Sequence, residues 1–347
     1  MSTTKINTAK KIDQNEFIQE ILSDYQLVCL SREASLLGRK EVLTGKAKFG
    51  IFGDGKELAQ IAMSKFFQNG DFRSGYYRDQ TFMMSIGKLS VSEFFAGLYA
   101  HTDPVKEPTS AGRQMGGHFS TKLLKEDGSW LNLAELKNSS SDISPTAGQM
   151  PRLVGLGLAS KLYRQNKALQ QMTKFSNNGN EVAFGTIGDA STSEGIFWES
   201  INAACVLEIP MVMSVWDDGY GISVPKKYQT TKESISEVLA GFEISGESNG
   251  LKIFKCKGWN YPELISIYKE AVSFCRKNHK PVLIHVDEIT QPQGHSTSGS
   301  HERYKSKERL EWAKEYDCIA KFKEWILSDN NALGKSLASK EELEEIE

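Results

Sequence analysis

Residues 210–216, PMVMSVW, are apolar at almost every position, the composition of a strand covered on both faces. That run constrains the fold more than any other feature, because such a strand must lie inside a sheet with helices on either side. Similar runs at 182–187 (VAFGTI), 252–256 (KIFKC) and 281–289 (PVLIHVDEI) also read as strands. Stretches with helical spacing at 193–207 and 261–277 separate them. Repeated strand–helix–strand order predicts an α/β fold, a mostly parallel sheet with helices on both faces.

Helical spacing further predicts an opening helix over 14–36, a helix at 57–67 and a long helix over 150–171. The last carries small residues at Gly155, Gly157 and Ala159, suited to close packing. Residues 102–149 and 290–308 are polar and read as long loops, which in a compact domain are usually functional or disordered. The tail ASKEELEEIE reads as an acidic amphipathic helix without a C-cap, which points to a chain that continues. The expected organisation is an N-terminal helical segment (1–35), a main domain (36–327) and an acidic helical tail (328–347).

Acids stand where two of the apolar runs stop. Gly188-Asp189 follows the strand at 182–187, and Asp217-Asp218 follows the run at 210–216. Ser191 to Glu194 has the composition of a capping box opening the helix between them. That helix is about 22 Å long at ~1.5 Å per residue, and the next strand runs back about 23 Å at ~3.3 Å per residue. A right-handed crossover therefore returns Asp217 and Asp218 to the sheet edge that carries Asp189. Open α/β sheets bind ligands at that edge. Carboxylates there can begin a Mg²⁺ site completed by a substrate phosphate, held in part by the helix N-terminus. The alternative is that these acids are only turn residues at strand ends.

The net charge of -2 gives no electrostatic argument for nucleic acid, and no apolar run reaches membrane-spanning length. The first residues, MSTTKINTAKKIDQNEF, lack the apolar core of a signal peptide. The five cysteines are scattered and show no metal-binding spacing, which suits a reducing compartment and makes the cytoplasm the expected location.

The acids are also part of a recognisable pattern. Gly188-Asp189-Ala190 and Asp217-Asp218 stand at the two ends of a thiamine diphosphate-binding motif. The chain around them resembles the alpha subunit of the decarboxylating first component of 2-oxo acid dehydrogenase complexes. The similarity runs from about residue 25 to 325 and includes YYRDQ (76–80), GRQMGGHFS (112–120), SPTAGQMP (144–151), KGWNYPELISIYKEA (257–271) and GHSTS (294–298). The resemblance implies a thiamine diphosphate- and Mg²⁺-dependent oxidoreductase. It would oxidatively decarboxylate a 2-oxo acid, branched-chain rather than pyruvate, and pass the acyl group to a lipoyl-bearing acyltransferase. A beta subunit, or a fused beta domain, would complete the active site in a heterotetramer.

Carried over by position, Asp189, Asp218 and the Tyr220 carbonyl match the metal ligands. Gly188 and Ala190 flank the first of them, and Tyr77 and Arg78 match a pair that binds the diphosphate. Thr146 and Gly148 fall where backbone groups hold the aminopyrimidine, and Ile222 where an apolar wedge bends the cofactor. His295 matches a loop histidine that helps acyl transfer, and His118 falls in the same region. His285 reads as a packing residue, and GDGK at 53–56 as a loop before a helix with no part in the site.

Three positions depart from the pattern. Ala190 replaces a glycine, Asp218 a neutral asparagine, and Gln291 an arginine present in many relatives. The last two each make the site more negative, so a compensating cation is expected, with Arg113, Lys226 and Lys227 as candidates. The two charge departures leave open a subunit of the same fold that binds no cofactor, and the resemblance itself leaves open a transketolase-like ketol transferase of the same superfamily.

Overall fold

A computed structural model describes residues 13–347; the reading of the first twelve residues lies outside them. Its centre is a six-stranded, wholly parallel sheet. In chain order the strands are β1 (Phe72–Ser74), β2 (Asn138–Ser139), β3 (Ala183–Gly188), β4 (Met211–Trp216), a small antiparallel hairpin of β5 (Tyr220–Gly221) and β6 (Val224–Pro225), then β7 (Lys252–Lys257) and β8 (Val282–Asp287). The sheet order is β2-β1-β3-β4-β8-β7. The four apolar runs thus became its four long strands, with edges shifted by a residue or two.

Alternation along β4 divides the core. Val212 and Trp216 face one side, against the helices Gln14–Leu43, Glu57–Lys65, Tyr261–Asn278 and Cys318–Leu327. Met211, Met213 and Val215 face the other, against Gln149–Gln165 and Gly195–Leu207. All six β4 residues are buried, as a strand covered on both faces requires. No described helix is long and apolar enough to cross a membrane.

Several local expectations need correction. The helix expected over 150–171 stops at Gln165, because Asn166 turns the chain and its Oδ1 accepts the Ala168 amide at 3.0 Å. Within its small-residue stripe, Gly157 does pack closely, on Ile209, whereas Gly155 faces open space. No capping box forms at Ser191–Glu194. Residues Ala190–Ser193 make a 3-10 turn, tied by the Thr192 hydroxyl donating to the Asp189 carbonyl, and the next helix begins at Gly195 without a side-chain cap.

The opening helix runs through Gln14–Leu43, so the division expected at residue 35 falls inside it, and Tyr25 and Val28 on it belong to the main core. The acidic tail forms the helix Lys340–Ile346, opened by a capping box of Ser339 and Glu342. Its Leu343 is buried in the same core, and Glu347 accepts a hydrogen bond from Tyr25 at 2.5 Å.

Candidate cofactor and metal site

The register of the sheet brings the acids together. β3 and β4 pair in parallel with Gly188 opposite Trp216, and the Asp189 amide donates to the Trp216 carbonyl at 3.2 Å. Asp189 and the Asp217-Asp218 pair therefore leave adjacent strands at the same carboxyl edge. Beside them lies a cavity of about 360 Å³. It is lined by Asp189, Asp218 and Tyr220, by Tyr77 and Arg78, and by Thr146, Gly188, Ala190, Ile222 and His295. Of the residues carried over to metal, cofactor or catalytic positions, His118 and Gly148 stay out of that lining, as does Asp217. His118 is buried behind it, its Nε2 2.9 Å from the hydroxyl of Ser144, which does line the cavity. Gly148 caps the helix Gln149–Gln165.

Asp189 is 5% exposed, and its Oδ2 has no hydrogen-bond partner among the described residues. Burial, with the neighbouring charges of Asp217 and Asp218, pushes its carboxyl well above the usual range. A buried acceptor in that state is costly unless a cation or donor reaches it. The Tyr76 hydroxyl, also in the cavity wall, is likewise buried and unpartnered.

Arg78 carries the opposite charge into the same space. Its guanidinium donates to two carbonyls, Phe52 at 2.6 Å and His295 at 2.9 Å, and lies over the Tyr77 ring. It forms no ion pair with a carboxylate among the described residues. An unpaired buried guanidinium opposite an unpartnered buried carboxylate fits a ligand that is both cation and phosphate. The donor set at the cavity thus suits the expected metal–diphosphate group.

The backbone is strained at two points beside this space. Ile222, 59% exposed in the β5–β6 hairpin, has φ +58°, and Ala147, next to Thr146, has φ +59°. A non-glycine residue held there costs about 1–3 kcal/mol, and such residues concentrate at ligand sites. Ala190, by contrast, keeps a negative φ in its 3-10 turn, so alanine fits where the motif has glycine.

The compensating cation is a residue the sequence reading set aside. Arg113 is exposed and, among the described residues, donates only to the Ser110 carbonyl, and Lys227 lies over the Tyr228 ring. Lys226 pairs with Asp217 at 2.7 Å, not with Asp218. The partner of Asp218 is Lys56, the lysine of GDGK, whose Nζ lies 3.1 Å from Asp218 Oδ2. Two glycines let this loop approach. A Cβ on Gly53 would sit 2.2 Å from the Arg78 carbonyl oxygen, and Gly55, at φ +87°, would meet that of Thr290 at 2.0 Å. Burial alone would raise the Asp218 carboxyl, but Lys56, Lys305 and Arg78 outweigh it and hold it below the usual range.

Asp217 is engaged elsewhere and does not line the cavity. Its Oδ2 takes Lys226 and, at 2.9 Å, His285 Nε2, while its Oδ1 takes the Gly219 amide. His285 is thus a hydrogen-bonding residue and not only a packing one, with Ser236 on its other nitrogen at 2.8 Å. Asp217, His285 and Asp287 lie close enough together to suggest a metal site, but the Lys226 ammonium sits among them.

Residues 290–308 fold back onto the segment before Lys56. Thr297 and Gly50 exchange hydrogen bonds, and the Gln293 amide donates to Asp54 at 3.0 Å. This holds His295 at the cavity, where burial first, and then the charge of Arg78, lower its pKa to about 4. His295 is therefore neutral at pH 7. Its folded pKa lies below the ordinary 6.5, so it favours folding above that pH and loses this contribution as pH falls through about 4.

Beneath the site, Arg73 on β1 is fully buried and organises the YYRDQ turn. Its donors reach Asp79 (2.8 Å), both oxygens of Asp142 (3.0 Å), the Ser139 hydroxyl and the Tyr76 carbonyl. That network fixes the segment presenting Tyr77 and Arg78.

The dehydrogenase E1 component family matches residues 25–347. The 2-oxoisovalerate dehydrogenase subunit alpha of Bacillus subtilis is 28% identical over 316 residues, covering 89% of this chain and 82% of that protein. The pyruvate dehydrogenase E1 component subunit alpha of Rickettsia prowazekii is 24% identical over 306 residues, covering 86% and 80%. The chain also matches the mitochondrial 2-oxoisovalerate dehydrogenase subunit alpha 1 of Arabidopsis thaliana at 24% identity, spanning 52% of its length. With the parallel sheet and its edge cavity in place, these matches identify the chain: it belongs to the dehydrogenase E1 component family and is of the alpha type.

Proposed function

We propose that this chain is the alpha part of a thiamine diphosphate- and Mg²⁺-dependent 2-oxo acid dehydrogenase. The observation that carries the reading is the unpartnered, buried Asp189 Oδ2 facing the same cavity as the unpaired Arg78 guanidinium. Asp189, Asp218 and the Tyr220 carbonyl would hold the metal, and Tyr77 and Arg78 the diphosphate. Backbone amides of Ala190 and Ser191, which line the cavity, would add donors. Thr146, with Gly148 behind it, would seat the aminopyrimidine, and Ile222 would press on the bend of the cofactor.

Thiamine diphosphate, once bound, supplies the electron sink for decarboxylation. The chain's own contribution is to bind, orient and exclude water. His295, neutral at pH 7, can donate one hydrogen bond and accept another near the reacting centre without adding charge. His118, joined to the cavity through Ser144, would support that wall. We assign the cofactor-binding unit to a single core that takes in the helices Gln14–Leu43 and Lys340–Ile346 together with the residues between them.

A beta subunit or fused beta domain would close the open side of the site in a heterotetramer, and a lipoyl-bearing acyltransferase would accept the acyl group. Buried free cysteines suit a reducing, cytoplasmic setting. The motifs GRQM and HSTS favour branched-chain substrates. With its beta partner and an artificial electron acceptor, the chain is expected to release CO₂ from 2-oxoisovalerate with kcat/KM about tenfold above that for pyruvate, the discrimination one or two methylenes can supply. A preference for pyruvate would overturn the substrate assignment. Turnover of ketoses without any 2-oxo acid would favour a ketol transferase instead.

A further inference from the structure

Asp218 places a carboxylate where the family's motif has a neutral amide, and the chain answers it with a buried ammonium. The Lys56 side chain is 1% exposed, that of Asp218 is 8% exposed, and both line the cavity. Lysine is almost never buried this deeply unless paired. Among the described residues, Asp218 is its only carboxylate partner. Other cations surround Asp218 without displacing Lys56: the Arg309 guanidinium donates to its backbone carbonyl at 2.8 Å, and Lys305 stands over the Tyr220 ring.

Charge balance gives the pair its meaning. Asparagine contributes no net charge to a metal site; aspartate with a bonded lysine contributes none either. The remaining carboxylate oxygen, Oδ1, takes only the Tyr220 amide, at 3.2 Å, and keeps a lone pair for a cation. An aspartate alone would add a third negative charge beside Asp189 and Asp217, in a space that must also take a diphosphate. A lysine alone would stand as an uncompensated cation next to Mg²⁺.

We propose that Lys56 is a positioning residue for cofactor binding that works as one unit with Asp218, the two replacing the neutral amide of the motif by a pair of equal net charge. This inference rests on the thiamine diphosphate reading. It predicts that either residue changed alone does harm and that changing both restores the site.

The test is calorimetric titration of thiamine diphosphate, at fixed Mg²⁺, into the full chain assembled with its beta partner. Wild type, Lys56→Met, Asp218→Asn and the double variant are compared, each with a cofactor-free melting curve. Each single variant is expected to bind about tenfold more weakly, and the double variant within about threefold of wild type, the coupling expected of a buried contacting pair. The same recovery should appear when Mg²⁺ is titrated at fixed thiamine diphosphate.

Losses that simply multiply in the double variant would overturn the pairing, as would unchanged affinity in Lys56→Met. A merely structural role for Lys56 would lower the melting temperature without any rescue of affinity by Asp218→Asn. Where a single variant fails to fold, the double variant decides: near-wild-type binding supports the unit, and a loss beyond about tenfold overturns it. Failure of the wild type itself to bind would instead overturn the functional reading.

Discussion

Asp189→Ala is expected to weaken Mg²⁺-dependent binding of thiamine diphosphate by about a hundredfold or more and to leave the folded chain no less stable. Removing an outer-shell partner of a metal ligand already costs 10- to about 100-fold, so loss of a direct ligand should lie at or beyond that limit. The stability half of the result follows from the surroundings. Asp189 is buried, its Oδ2 has no donor, and Asp217 and Asp218 repel its charge. Deleting such a group removes a desolvation cost without breaking a side-chain hydrogen bond. Melting curves with and without Mg²⁺ and thiamine diphosphate check both halves. The cofactor should raise the melting temperature of the wild type and not that of the variant. A variant that unfolds, or one that still gains stability from the cofactor, would show the acid to have another role.

Arg73→Met is expected to act in the opposite sense, costing about 3–5 kcal/mol of folding stability, the usual result of removing one partner from a buried ionic network. Arg73 bridges Asp79 and Asp142, both fully enclosed, and its loss leaves two carboxylates with no cation in reach. Desolvation already raises Asp142 against the pull of Arg73, so the variant should fold only with that acid protonated and should gain stability as pH falls. Denaturant unfolding at two pH values reads this directly. Because Arg73 also holds the Tyr76 carbonyl, the turn carrying Tyr77 and Arg78 should loosen with it. A loss below about 1 kcal/mol, the scale of an exposed pair, would show that the network does not bear on stability.

Local pattern carried far in this chain, and charge pairing did not. Three apolar runs gave long strands because both faces of β3, β4 and β8 are covered, and burial on both sides leaves a continuous signature; the fourth run gave the edge strand β7, whose burial alternates. The convergence of Asp189 with Asp217-Asp218 was legible from matched helix and strand lengths. The partner of Asp218 was not. Lys56 lies 162 residues away, and nothing local distinguishes a lysine that will be buried against a carboxylate from one in solvent. The glycines beside it were visible, yet their purpose, admitting the loop against the carbonyls of Arg78 and Thr290, depends on tertiary contact. The expected capping box at Ser191 failed for a related reason: the chain spends those residues on a 3-10 turn at the cavity and starts its helix afterwards. Arg73 gave no warning either, since a lone arginine in a three-residue strand reads as exposed.

Every role proposed for these residues requires that the edge of β3 and β4 hold a metal-bound diphosphate. Calorimetric titration of thiamine diphosphate into the wild-type chain with its beta partner, once with Mg²⁺ and once with a chelator, tests it most directly. Saturable binding that requires the divalent ion is the predicted result. No binding at millimolar cofactor with Mg²⁺ present would contradict it and leave a subunit that keeps the fold without the chemistry.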